Sequence, residues 1–265
     1  MRGGVAFTAL TALALALTLT FLTLPVVALF VDTGPGDLIA SLGEPAAREA
    51  LLLSLKTTAI SLAIVVAVGT PAAYLLATRS FRGRAIVVTL VELPLVLPPA
   101  VAGIALLAAL GPSGLLGGTI ETLGFSLTLE TAGVVVALTF VASPFYLRQA
   151  QTAFAGVDRT LVEASRTLGE SEARTFVRLM VPLAAPGLAT GAALALGRAL
   201  GEFGATLMFA GSFEGITQTV PLAIYARFAT DFDSALALSA VLVAVSGAIL
   251  LTAKLFGGWD AADRR

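Results

Sequence analysis

The chain has 265 residues, of which 57% are hydrophobic and only 12% charged; its mean hydropathy of +0.96 lies outside the range of soluble globular domains, so the expected solvent is a lipid bilayer. Cysteine and histidine are both absent, which excludes disulfides, thiol nucleophiles, imidazole metal sites and every His-dependent catalytic pair. A formal net charge of −1 offers no basic patch able to neutralise a run of phosphates, so nucleic acid is excluded as a partner.

A bilayer-crossing helix needs about 20 mostly apolar residues, and six stretches meet or nearly meet that length: 6–31, 51–78, 86–110, 131–149, 186–210 and 235–256. The first resembles a cleavable leader, with Arg2 ahead of an apolar run and Val26-Val27-Ala28 as a loose cleavage site. A leader's apolar core runs to about 7–15 residues, and this one is far longer, so a retained helix is expected. No repeat, linker or composition break divides the chain, and residues 1–265 are expected to form one all-α membrane domain. Its longest polar connection is 150–185.

The basic residues set the expected orientation. Arg2, Arg79, Arg82, Arg84, Arg148, Arg159, Arg166, Arg174, Arg178, Lys254, Arg264 and Arg265 fall on one set of connections and termini, whereas Arg48, Lys56 and Arg227 fall on the other. Under the positive-inside rule this asymmetry puts both termini, the 79–85 loop and the 150–185 segment in the cytoplasm of a multi-pass cell-membrane protein.

In the third span, Pro94, Pro98 and Pro99 remove backbone donors, so the helix should bend or break where its carbonyls face protein or water. Broken spans commonly line transport sites; a kinked packing helix is the plainer alternative. Glu92, near the cytoplasmic end, is expected to reach toward water.

Between the fourth and fifth spans, Asp158 is placed to cap a helix running to Leu168, with Leu161, Ser165 and Leu168 on one face and Gly169 ending it in a left-handed conformation. Ser171 is placed to cap a second helix, Glu172 suits its positive end, and Pro182 is expected to stop it. The outcome is a water-exposed elbow with Glu163 near its tip, a hydrophilic connector or a partner surface.

The fifth span carries small residues every fourth position, Ala189, Ala193, Gly197, Gly201 and Ala205, a ridge that lets another helix approach closely. The adjacent row reads Leu194, Arg198, Glu202, Thr206. A charge near mid-bilayer costs about 2.5–3.5 kcal/mol on insertion scales, so Arg198 and Glu202 should face protein or water and partly neutralise each other. They form either a structural bridge or part of a translocation path. Beyond this span, Thr219 as a cap and Pro221 at a first helical position indicate a short outer helix over about 221–228.

The elbow reads Glu163-Ala164-Ser165, three residues, Gly169, nine residues, Leu179-Met180-Val181-Pro182. This resembles the E-A-A, G, I-x-L-P loop by which ABC-transporter permeases contact their ATPase subunits, with departures at Ser165, Leu179 and Val181. The segment Arg198-Ala199-Leu200-Gly201-Glu202-Phe203-Gly204-Ala205-Thr206, the run Thr217 to Tyr225, and Glu92 to Gly103 are similar to molybdate and tungstate permeases, with sulfate permeases close behind. The resemblance covers roughly residues 50–250. It implies a type I ABC importer permease fold of six transmembrane helices with a cytoplasmic coupling-helix loop. Glu163, Ala164, Ser165, Gly169 and Pro182 would contact the ATPase, and Arg198, Glu202, Thr206, Pro94, Pro98 and Pro99 are candidates for the pathway or gate. The implied assembly is a permease homodimer with two ATPase subunits and an extracytoplasmic substrate-binding protein, importing molybdate or tungstate, or alternatively sulfate, thiosulfate or another substrate.

No G-x-x-x-x-G-K-[ST] occurs, so this chain is expected to bind no cofactor, leaving ATP and Mg to the partner ATPase. An intramembrane enzyme is disfavoured: no histidine is present, and every Asp falls in a loop or tail. A non-transporting membrane scaffold is the alternative from another class.

Overall fold

The computed structural model describes residues 2–256, and all its regular elements are helices; the expectations for Arg264 and Arg265 lie outside the described residues. In chain order, α1 (Arg2–Asp32) is followed by the short α2 (Pro35–Gly43) and the long α3 (Pro45–Thr78). The third expected span is two helices, α4 (Arg84–Val96) and α5 (Pro99–Leu110), bent by 120°. After the short α6 (Gly117–Thr122) come α7 (Thr131–Ala155) and the elbow helices α8 (Arg159–Thr167) and α9 (Glu172–Thr175). A π-helical turn over Phe176–Met180 joins α9 to α10 (Val181–Leu200), and α11 (Gly204–Ala210), α12 (Val220–Phe228) and α13 (Phe232–Phe256) complete the chain.

The core is a three-helix packing of α3, α7 and α10. Its interface is built of small residues with a few large ones: Ala73, Ala142, Ala150, Ala184, Ala195 and Ala199 surround Leu138, Tyr146, Phe154 and Met180. In lipid, helices gain nothing by hiding apolar surface from one another, so close approach and interhelical hydrogen bonds must hold them together. Both occur: Tyr146 Oη meets Thr70 Oγ1 at 2.6 Å, and Ser61 Oγ donates to the Val135 carbonyl at 3.0 Å. The tight row on α10 is Gly187, Gly191, Ala195 and Ala199, where a side chain at Gly187 would strike Ala153 of α7 and one at Gly191 would press on Gln149. The row expected from sequence, Ala189 to Ala205, is displaced from this contact. Gly197 instead faces Leu250 of α13, and Ala205 belongs to a different helix.

Contacts between distant segments define two ends of the bundle. At one, Arg79 just after α3 pairs with Glu172 at the start of α9. At the other, Ser54 Oγ accepts from Val220 N–H, Thr131 donates to the Ile216 carbonyl, and Arg227 pairs with Glu44. The C-terminal ends of α3 and α7 line one cavity at the first end, so the chain between them must return across the bundle. α4 and α5 make that return. Each is only about 20 Å long at 1.5 Å per residue, short of the about 30 Å hydrocarbon core, and neither crosses alone. The break falls at Leu97-Pro98, each of which precedes a proline and is therefore driven to extended backbone, ψ 129° and 138°. Pro94, expected to contribute, lies inside α4, which runs through it.

The first helix stands apart. None of the apolar window of α1 is buried, and its main contact with the rest of the bundle is with α13, so its surface is left to lipid. The fold carries five continuous helices long and apolar enough to cross a membrane, and six when the bent pair is taken as one span.

The packing argument predicts that Gly187→Ala, which puts a methyl against Ala153, lowers the thermal stability of the detergent-solubilised protein by about 1–3 kcal/mol despite the better helix propensity of alanine. Gly118→Ala, with open space around it, should leave stability unchanged or slightly raised. Equal melting temperatures for the two variants would contradict the α7–α10 contact.

Candidate coupling elbow and broken spans

The elbow is built from capping chemistry. Asp158 accepts a hydrogen bond from Thr160 N–H at 2.9 Å and starts α8. That bond holds the Asp158 carboxyl below its ordinary range. The cap is therefore at full strength above that range and is lost as pH falls through the lowered value. At the other end, Gly169 has φ +81°; its N–H donates to the Arg166 carbonyl and the Glu170 N–H to the Ser165 carbonyl. This pair of bonds is the Schellman arrangement, which needs a residue free to adopt the left-handed conformation. Ser171 Oγ then accepts from Arg174 N–H and opens α9.

Sequence reasoning missed what joins the two arms. Ser165, where the family motif has alanine, meets Thr175 Oγ1 across the elbow at 2.9 Å. Its partner, ten residues on, gives no local sequence signal. Leu161 and Leu168 are both exposed, Leu168 to 84%, while Ser165 turns inward. The expected common face of these three is therefore split.

Pro182 does not stop the second arm. α9, the π turn and α10 form one apolar helix of 29 residues, Glu172–Leu200, with Pro182 inside it. In a regular helix the ring of Pro182 would clash with the Arg178 carbonyl and leave it without a donor. The preceding turn is instead widened, with Val181 N–H donating to Phe176 O five residues back. An aromatic cluster secures this turn: Phe176 lies 4.7 Å from Tyr74 of α3 and 6.1 Å from Phe154 of α7, ring centre to ring centre. The Arg79 guanidinium, 2.6 and 2.7 Å from the two Glu172 carboxylate oxygens, ties the α3 end to the same arm. Being exposed, it contributes no more than about 1 kcal/mol.

The second cluster lies where the fifth span ends. The expected continuous row Leu194, Arg198, Glu202, Thr206 is interrupted, because α10 stops at Leu200 and α11 begins at Gly204. Glu202 occupies the break and is 1% exposed. Its Oε1 accepts from Ala205 N–H at 2.7 Å, satisfying a donor of the first turn of α11. Its Oε2 sits 2.5 Å from Arg198 Nη2, a close ion pair rather than an aligned hydrogen bond. Thr206 is fully buried and its hydroxyl has no hydrogen-bond partner.

The two broken spans meet at their breaks. A Cβ at Gly204 would lie 2.7 Å from Pro99 Cβ, and one at Gly103 would lie 2.6 Å from Met208 Cβ. α5 and α11 therefore touch backbone to backbone beside Pro98-Pro99. Of the sequence candidates, Pro99 and Glu202 are brought to this junction by the contacts of Gly204 and Ala205, while Pro94 stays within α4. The close contacts of Gly103 with Ala205 and Met208, and of Gly204 with Pro99, were not singled out from sequence, although Gly103 lies in the span already expected to bend or break. Glu92, expected to reach water, pairs with Arg148 Nε at 3.2 Å and so links α4 to α7.

The short outer helix is present as α12, with a different start from the one expected. Thr219 Oγ1 makes no hydrogen bond, and Ser54 of α3 accepts from Val220 N–H at 2.8 Å instead. No cluster of three potential metal ligands exists among the described residues.

Comparison with known proteins gives concordant matches. The chain is 44% identical over 237 residues to the molybdenum transport system permease protein of Mycobacterium tuberculosis, covering 88% of each. It is 41% identical over 244 residues to a probable molybdenum ABC transporter permease protein of Haloferax volcanii, covering 91% of this chain and 88% of that one. Among solved structures, a bacterial ABC transporter involved in import of the acidic polysaccharide alginate aligns with TM-score 0.76 over 95% of this chain and 94% of that chain, at 18% identity. That likeness fixes the fold as the one expected from the resemblance, the all-α type I importer permease. The model of the family described as binding-protein-dependent transport system inner membrane component matches residues 69–257, and the chain, a multi-pass membrane protein, belongs to that family.

Proposed function

We propose that this chain is the membrane-spanning permease subunit of an ATP-driven importer of molybdate, with tungstate, the same shape of dianion, as a companion substrate. The substrate reading is supported by relatives named for molybdenum transport at 41–44% identity over most of the chain. The chain would work as a homodimer with two ATPase subunits on the cytoplasmic side and a binding protein outside. ATP and Mg would be used by the ATPase and by no site on this chain. The elbow and both termini would lie in the cytoplasm, in keeping with the arginines at the elbow end.

The observation that carries the mechanism is the unbroken helix from Glu172 to Leu200. A force applied to α8 by an ATPase reaches the Gly169 joint, the α9 arm and then the span itself without crossing a flexible connection. The far end of that span is Arg198–Glu202 and the junction of the two broken spans. Irregular backbone inside a membrane is tolerated where it lines a cavity or is buried in protein, and such breaks flank transport sites. Alternating access would follow from movement of the α10 end against α5 and α11.

In vesicles carrying the whole transporter, Gly169→Pro should abolish ATP-driven molybdate uptake while the protein remains inserted, because proline cannot adopt a positive φ and lacks the N–H bonded to Arg166. Normal uptake by Gly169→Pro would remove the coupling role. If sulfate rather than molybdate is accumulated, the substrate assignment is wrong.

The Glu202 geometry predicts a separation between two variants. Glu202→Ala leaves Arg198 without its carboxylate and the Ala205 N–H without an acceptor, a loss of about 3 kcal/mol seen as a lower melting temperature. Glu202→Gln keeps an acceptor for the Ala205 N–H but turns an amide NH2 toward Arg198, so its stability should fall between that of the unaltered protein and that of Glu202→Ala. Identical stability of both variants would exclude the bridging role.

A further inference from the structure

A cavity of about 470 Å³ lies at the elbow end between α3, α7 and α8, and it has two chemically distinct walls. Tyr74, Ala77, Phe154, Val162 and Met180 give an apolar floor, while Arg79, Arg84, Arg159 and Arg166 line the polar side. Arg79 is neutralised by Glu172. The other three arginines have no ion pair among the described residues, and Arg84 is held in place by its Nε donating to the Leu76 carbonyl at 2.9 Å. Glu163 is the one carboxylate in the lining, so three guanidinium groups face one acid.

The disposition of α8 sharpens this point. Arg159, Val162, Glu163 and Arg166 follow the helical repeat along one side and line the cavity. Leu161, Ala164 and Leu168 follow it along the opposite side and are exposed outward. The outward apolar stripe suits a protein partner; the arginine side turns back toward the ends of the membrane-crossing helices α3 and α7. Guanidinium groups grip phosphate oxygens in pairs, and basic pockets between spans on the cytoplasmic side attract anionic headgroups.

We propose that this cavity binds the phosphate of an anionic phospholipid from the cytoplasmic leaflet, with Arg84, Arg159 and Arg166 on the phosphate and the glycerol and upper acyl chain against the Tyr74–Phe154–Met180 floor. The shared chemistry is a phosphate group, and the apolar floor favours a lipid over free phosphate as its source. The assignment rests on the cytoplasmic placement of the elbow proposed above. A bound lipid would hold α8 against α3 and α7 from the membrane side, leaving its apolar stripe free for the ATPase.

The test is native mass spectrometry of the detergent-purified transporter with its ATPase, without nucleotide, titrated with phosphatidylglycerol, phosphatidylcholine or inorganic phosphate. Phosphatidylglycerol should remain bound under activation that strips phosphatidylcholine, and excess phosphate should not displace it. Arg159→Gln with Arg166→Gln, both on the exposed surface of α8, should weaken phosphatidylglycerol binding by about fivefold per arginine. Arg84→Gln should act in the same direction, and Arg82→Gln, outside the cavity, should have no effect. Equal retention of the two lipids, an unaffected double variant, or ready displacement by phosphate would each overturn the proposal. Binding in detergent is independent of membrane orientation and of hydrolysis, so this outcome is separable from failure of the coupling mechanism.

Discussion

The hydrogen bond from Val181 N–H to Phe176 O is the constraint on which the arrangement depends. A proline one position later would end or kink a regular helix, and the elbow would then hang from the membrane domain by a hinge. By spending one extra residue in the turn, the chain carries Pro182 inside a continuous rod. The ring cluster of Tyr74, Phe154 and Phe176 packs this turn against α3 and α7. Widened turns of this kind are frequent at functional positions, and here the turn sits at the boundary between the elbow and the span.

The remainder of the bundle follows from how helices associate in lipid. Alanine and glycine rows bring α3, α7 and α10 into close contact, and short polar bridges such as Thr70–Tyr146 fix their register. Two charge pairs lie within this apolar frame. Arg198 and Glu202 neutralise each other while Glu202 also serves the backbone of α11, so one carboxylate supports both an ion pair and a helix start. Glu92 and Arg148 do the same work between the broken span and α7. Arg84, Arg159 and Arg166 are different: they line the elbow cavity and form no ion pair among the described residues.

Much of this was legible in the sequence, for identifiable reasons. Apolar length and the placement of arginines mark the crossings, because the cost of exposing backbone and charge to hydrocarbon depends chiefly on composition. Asp158, Gly169 and Ser171 were readable because capping is a local act with a short residue menu. The break at Pro98-Pro99 was readable for the same reason. Tertiary choices were not. Thr219 has the chemistry of a cap, yet Ser54 from 166 residues away satisfies the helix start. The small-residue row facing α7 lies on nearly the opposite side of α10 from the one that the periodicity suggested, two residues or about 200° around the helix, since two such rows exist on α10 and only packing selects between them. The fifth span was placed at 186–210 because Arg174 and Arg178 lower the hydropathy before it and a proline looks like a stop. Hydropathy reports which residues prefer lipid and says nothing about whether the hydrogen-bond ladder continues past them.

The central claim is that the α9 arm and the fifth span move as one body. A direct test places spin labels on the cysteine-free chain at Arg174→Cys and Gly197→Cys, along the rod, and in a second sample at Arg174→Cys and Ile104→Cys, from the rod to an exposed position of α5. Pulsed distance measurements would then be made on the reconstituted transporter with and without trapped nucleotide. The account predicts an unchanged distance along the rod and a changed distance between rod and α5. A change along the rod, showing that the π turn yields when nucleotide binds, would contradict it.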